Sequence, residues 1–155
     1  MFSCAGGYST SYRRARNLEV RPMEMVKVAY LDKAETVSFG DLANYHPLIA
    51  DGDTPMRTGI QVSEPGYVAP EHSHPYWEML LILEGEAEAW MVDEPDKVLS
   101  LKAGDMIALP PNQDHSFRTV GDKTMRLLGI HHSPDRIVNY LERETDDQGY
   151  PVLKG

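Results

Sequence analysis

From Arg57 onward the chain is a succession of short segments, each cut off by glycine, proline, asparagine or aspartate, and that punctuation leaves room for strands but not for long helices. The spacing predicts strands over Arg57–Ser63, Tyr67–His74, Glu78–Leu83, Glu86–Val92, Lys97–Leu101, Met106–Leu109, His115–Val120 and Thr124–His131. Turn chemistry separates them at Glu64-Pro65-Gly66, Gly85, Asp93 to Asp96, Gly104-Asp105, Pro110-Pro111-Asn112 and Gly121-Asp122. Many short strands at such spacing form an antiparallel sandwich or barrel. At 155 residues a single domain of this kind can bury a core.

Upstream, Val26–Tyr30 reads as a first short strand, and Leu31 to Pro55 as a polar linker with turns at Asp41, His46-Pro47 and Asp51 to Asp53. Downstream, Ser133-Pro134-Asp135 has the form of a helix start: a cap, a proline in the first position and an acid in the first turn. Ile137, Val138, Tyr140 and Leu141 then predict a short C-terminal helix to about Glu144. The chain thus divides into a leader over 1–22, an N-terminal strand and linker over 23–56, a barrel over 57–133, and a helix and tail over 134–155. The leader is small, polar and without periodicity, so it is expected to be disordered or an extension ahead of Met23 or Met25.

Charge excludes some partners. The formal net charge is -9, and because residues 1–22 hold four arginines against Glu19 alone, a local +3, the remainder carries -12. Nucleic-acid affinity rests on neutralising phosphates, so no nucleic acid is expected. The longest apolar block, Met79 to Leu83, is strand-sized, so no membrane span is expected either. The one cysteine, Cys4, cannot form an internal disulfide, which suits a reducing, cytoplasmic setting.

Four residues carry the chemistry. Side chains at i and i+2 of a strand share a face, so His72 and His74 aim two imidazoles at one point, and Glu78, an even step further on, joins them. His115 follows in the Pro110 to His115 turn region. Three imidazoles and a carboxylate form a borderline N/O donor set for one divalent first-row transition metal per chain: Fe, Mn, Ni, Zn, Co or Cu.

These residues resemble the two motifs of the cupin superfamily. Gly66, His72, His74, Glu78 and Gly85 match every defined position of the first; Gly104, Pro110 and His115 match the second. The second motif departs at Asn112, where the family has glycine, and at Thr119, where it has asparagine. Asparagine tolerates the left-handed backbone that a glycine would supply. The resemblance covers Arg57 to Ser133 and implies an all-β fold: an antiparallel double-stranded β-helix, or jelly-roll barrel, with the metal held inside by His72, His74, Glu78 and His115. It also implies a homodimer.

Alternation extends the site. Leu80 and Ile82 follow Glu78 inward as core; beyond Gly85, Ala87, Ala89 and Met91 share one face, and Glu86, Glu88 and Trp90 the other. Trp90 would narrow a cavity if it pointed inward. Phe117 shares the face of His115. Arg57 and Gln61 lie on one face of the first barrel strand, where Arg57 either grips a substrate carboxylate or sits on a solvated rim. Arg126 carries the same two readings. Tyr76 is either a proton or hydrogen-bond donor to substrate or a packing residue. Of His131 and His132, adjacent and therefore facing opposite ways, one can enter the barrel as an acid/base group.

The resemblance admits dioxygenase, decarboxylase, isomerase and lyase chemistry on a small oxygen-rich molecule chelated at the metal. A ligand-binding or sensing module without turnover is the alternative.

Overall fold

The computed structural model describes residues 26–152. The leader reading and Cys4 lie outside these residues. Among the described residues eleven strands form two antiparallel sheets. In chain order they are β1 (Val37–Ser38), β2 (Ala43–Pro47), β3 (Arg57–Ser63), β4 (His72–Ser73), β5 (Glu78–Glu84), β6 (Glu86–Met91), β7 (Leu99–Lys102), β8 (Met106–Leu109), β9 (His115–Val120), β10 (Met125–His131) and β11 (Asn139–Tyr140). One sheet runs β1-β2-β3-β10-β5-β8 and the other β11-β4-β9-β6-β7. The result is a jelly-roll-like all-β fold. Among the described residues no helix is long and apolar enough to cross a membrane.

Period-two alternation builds the interior. Leu80 and Ile82 of β5, Ala87 and Ala89 of β6, Phe117 of β9, and Met125 and Leu127 of β10 are buried and form one core cluster. The intervening Met79 and Leu83 are exposed. Two alanines facing this cluster leave space in the barrel. Gly59 and Gly129 are register partners across β3 and β10 and leave more. Into that space comes Tyr45: a Cβ on Gly59 would lie 2.2 Å from the Tyr45 hydroxyl. At the second motif, Asn112 adopts φ 58°, the left-handed conformation its side chain permits, and its N–H donates to the His74 carbonyl at 2.7 Å. Thr119 is buried with its hydroxyl 2.7 Å from that of Ser63.

Several expectations are corrected. Residues Val26 to Tyr30 form no strand; they are exposed, with a 3-10 turn after them at Leu31–Lys33. The supposed linker contains β1 and β2, with His46 and Pro47 inside β2 rather than in a turn. Proline is tolerated there because β1 reaches only Asn44 and Tyr45, so no partner needs the missing N–H. The Tyr67–His74 segment is not one strand but an isolated bridge at Val68 and the two-residue β4.

The largest correction is the C-terminal helix, which is absent. Ser133 does cap, its hydroxyl accepting from the Asp135 N–H at 3.1 Å, but the chain then crosses the barrel mouth extended. A helix would join the Ile137 carbonyl to the Leu141 N–H. Instead that carbonyl accepts from His74 Nδ1 and from the Tyr76 hydroxyl, and the Leu141 N–H donates to Glu71. Asn139 and Tyr140 pair with Ser73 and His72 as β11. The supposed helical stripe is thus alternation: Arg136, Val138 and Tyr140 face the barrel cavity, while Ile137 and Leu141 are exposed.

Candidate metal centre

Strand register assembles the quartet. Glu78 opens β5, flanked by Leu109 of β8 and His131 of β10. On the opposite sheet His72 pairs with His115. His74 follows β4 directly. One donor atom from each of His72, His74, Glu78 and His115 lies within 4.8 Å of all the others. His74, Glu78 and His115 are buried, and His72 partly so.

Each imidazole is fixed by its outer nitrogen. His72 Nδ1 donates to the Pro70 carbonyl at 2.7 Å, His74 Nδ1 to Ile137 at 2.7 Å and His115 Nδ1 to Gln113 at 2.8 Å. A carbonyl can only accept, so Nδ1 carries the proton in all three rings and Nε2 is left for a ligand. Glu78 Oε2 lies 3.0 Å from His115 Nε2 and 3.3 Å from His74 Nε2. So many electron-rich atoms converge in a buried place only around positive charge, from a proton or a cation. The donor set therefore fits a divalent ion.

The electrostatics agree. Burial alone would raise the Glu78 carboxyl, but the His115 and His74 imidazoles beside it, which attract the carboxylate when a proton also sits on Nε2, hold it well below the usual carboxylate range. Burial pushes His72 down to about 3, against the attraction of Glu78. His115 is pulled down by burial yet ends raised, because it bonds Glu78 directly. Burial carries His131 down to about 4. Glu78 is thus anionic, and His72 and His131 neutral, near neutral pH.

A cavity of about 60 Å³ adjoins the quartet, walled by Leu80, Phe117 and Leu127 and by polar groups from Gln61, His131 and Arg136. Gln61 is buried in this wall and its Nε2 has no hydrogen-bond partner. His131 Nε2 is 3.6 Å from Glu78 Oε1, and its Nδ1 is also buried and unpartnered. Phe117 lines the cavity as the alternation from His115 requires.

Other sequence candidates lie elsewhere. His132 is exposed, one parity step from His131. Trp90 faces outward, its ring 5.9 Å from the Arg118 guanidinium, because Ala87 and Ala89 take the inner positions. Arg126 lies between inward Met125 and Leu127 and so points out, 3.9 Å from Glu84. Arg57 is held at the rim by the carbonyls of Ala50 at 2.9 Å and Pro134 at 3.4 Å. Tyr76 is buried, with its hydroxyl donating to the Ile137 carbonyl at 3.0 Å and accepting from the Ile137 N–H at 3.1 Å. Tyr45, Tyr67, Arg136, Val138 and Tyr140, none of them singled out as site residues from sequence, also line the cavity. The alternation of Arg136, Val138 and Tyr140 was the available signal.

A double-sheet barrel with three carbonyl-anchored histidines and a glutamate turned into its cavity defines a β-barrel with a candidate metal site. The Cupin domain family model matches residues 59–131. The chain is 33% identical over 96 residues to Polyketide synthase CurC of Streptomyces cyaneus, covering 61% of this chain and 60% of that protein. It is 31% identical over 105 residues to Protein SchB of Streptomyces halstedii, covering 65% and 73%. The solved structure of the polyketide cyclase RemF from Streptomyces resistomycificus has a similar fold, with a TM-score of 0.63 at 18% identity, covering 81% of this chain and 90% of that one. The chain belongs to the cupin family.

Proposed function

We propose that the protein is a metal-dependent enzyme acting on a small, oxygen-rich molecule with an enolisable carbonyl, of the kind found in polyketides. The observation that carries this reading is the convergence of His72, His74, Glu78 and His115 within 4.8 Å beside an otherwise largely apolar cavity. The word polyketide in the names of CurC and RemF supports the substrate class. A divalent ion held there supplies Lewis acidity toward a substrate oxygen.

The protein's own groups supply the rest. Leu80, Phe117 and Leu127 exclude water and hold the carbon skeleton. His131, neutral and unpartnered at Nδ1, accepts a proton from the carbon next to the carbonyl, while the C–H pair forms a carbon–carbon double bond and the carbonyl π pair moves onto the oxygen. The same imidazole returns the proton to another atom of the substrate. No oxidant enters this scheme, so it belongs with isomerase, lyase or cyclising chemistry rather than with a dioxygenase.

The test has two arms. Glu78→Gln and His115→Ala should each lower bound metal by tenfold or more, read by elemental analysis; unchanged stoichiometry sinks the metal site. Turnover of a poly-β-ketone by the metal-loaded protein should proceed equally under argon and in air. A requirement for air would overturn the oxygen-independent reading.

A further inference from the structure

We propose that Arg136 and Gln61 form an anion-binding subsite in the cavity, which selects ligands carrying a carboxylate or another localised oxyanion. This rests on the reading of the cavity as a small-molecule site and goes further by naming the charge its ligand carries. The two residues come from distant parts of the chain, Gln61 from β3 and Arg136 from the extended segment after β10, yet they line the same cavity. In each a nitrogen donor, Gln61 Nε2 and Arg136 Nη1, is buried without a partner of good hydrogen-bond geometry, although the Gln61 amide lies near enough to the Tyr67 hydroxyl to oppose the upward pull of burial on it. Buried donors are ordinarily satisfied, so orphan donors on two residues lining the same cavity mark where an acceptor belongs.

The surroundings of Arg136 orient its guanidinium without neutralising it. Its Nη2 donates to the Tyr140 hydroxyl at 3.3 Å, and its guanidinium carbon stands 4.3 Å from the centre of the Tyr150 ring. Among the described residues no carboxylate lies within ion-pair distance of it, whereas Arg118 and Arg126 each have one. A fixed guanidinium with no carboxylate in ion-pair range, sharing a cavity with an unpartnered amide N–H, is complementary to a carboxylate.

Position gives Arg136 a second role. It lies in the wall between the inner cavity and an outer groove of about 660 Å³ that is also lined by Arg57 and by the carboxylates of Glu35, Asp135, Asp146 and Asp147. Among the described residues Arg136 is the one arginine that lines both spaces, so an anion that passes the groove carboxylates meets its guanidinium at the entrance to the cavity. Arg57, the arginine that the sequence favours, already bonds two backbone carbonyls in the rim.

Isothermal titration of the full chain with malonate and with malonamide, its neutral analogue, tests this. Each probe is run against metal-loaded and metal-free protein. Malonate should bind at least tenfold more tightly than malonamide. Arg136→Gln should remove that preference, and Gln61→Glu, which keeps the size and replaces a neutral donor by a negative charge, should weaken malonate by tenfold or more. Arg136→Lys, which keeps the charge but loses the planar fork, should fall between, and Arg57→Gln should change nothing. Metal content and melting temperature are measured on every variant, so that an unfolded protein is recognised and Gln61→Glu then decides. Equal affinity of wild type and Arg136→Gln for malonate overturns the proposal, because malonate is then held by the metal alone. Failure of wild type to bind malonate overturns it too. Wild type without stoichiometric metal would defeat the metal reading instead, and Arg136-dependent malonate binding by metal-free protein would still be measurable.

Discussion

Tyr76→Phe isolates the contact that ties the C-terminal segment to the metal centre. The substitution removes one oxygen and keeps the ring, which stacks on His74 with centroids 5.1 Å apart. That oxygen donates to the Ile137 carbonyl and accepts from the Ile137 N–H. A hydrogen bond of this type contributes about 0.5–1.5 kcal/mol net. The carbonyl keeps its bond from His74 Nδ1, so its loss is partial. The Ile137 side chain is exposed, so water can reach the freed N–H and the cost falls toward the low end. A weakening of about 1–2 kcal/mol follows, or roughly a five- to thirtyfold rise in the population of the undocked segment. Hydrogen exchange reads this directly. The amide of Leu141, which donates to Glu71 across the mouth, should exchange faster by that factor while the amides of Ile82 and Leu127 hold their protection. Unchanged exchange at Leu141 would refute the docking role, and an equal rise at Ile82 would show global destabilisation instead. His74 loses part of its anchoring with the segment, so metal affinity should drop by up to about tenfold, less than on loss of a ligand.

Two further substitutions probe the frame around the site. Gly59→Ala places a methyl 2.2 Å from the Tyr45 hydroxyl, and Tyr45 is itself packed on Phe39 at 5.6 Å, so the ring cannot move freely. The expected loss is about 1–3 kcal/mol in urea unfolding, and it should vanish in a Tyr45→Ala background; a cost that persists there would place the strain elsewhere. Ile82→Ala empties a position that is 1% exposed in the core cluster and should lose about 2–5 kcal/mol. A loss under 1 kcal/mol would mean that the barrel collapses readily around the gap.

The barrel strands and the quartet were legible because both depend on parity. Once Glu78 points inward, Leu80 and Ile82 must, and once His115 does, Phe117 must. Parity also decides between His131 and His132 as soon as Met125 and Leu127 are seen to be buried. It cannot say which face of an isolated strand is inner, so Arg57, Trp90 and Arg126 stayed open until the sheets were paired. The C-terminal segment misled for a different reason. Ser133-Pro134-Asp135 is a real local turn, and nothing in the next ten residues reveals that the partners of their backbone groups lie more than sixty residues earlier, in Glu71, His74 and Tyr76. Local propensity lost to long-range hydrogen bonding.

That segment matters to the chemistry because one carbonyl serves two purposes. The Ile137 oxygen fixes the tautomer of a histidine of the quartet, and the same residue secures the strand that carries Arg136, Val138 and Tyr140 over the cavity. Displacing the segment would therefore open the cavity, withdraw the guanidinium and release the His74 ring in one movement. By linkage the converse holds: whatever favours the ordered His74 ring favours the docked segment by the same free energy. The enclosed cavity, at about 60 Å³, is small for a polyketide-sized molecule. A substrate of the proposed class would exceed it, so its entry would require the segment to be displaced, and re-docking would restore the ceiling, the cation and the histidine together.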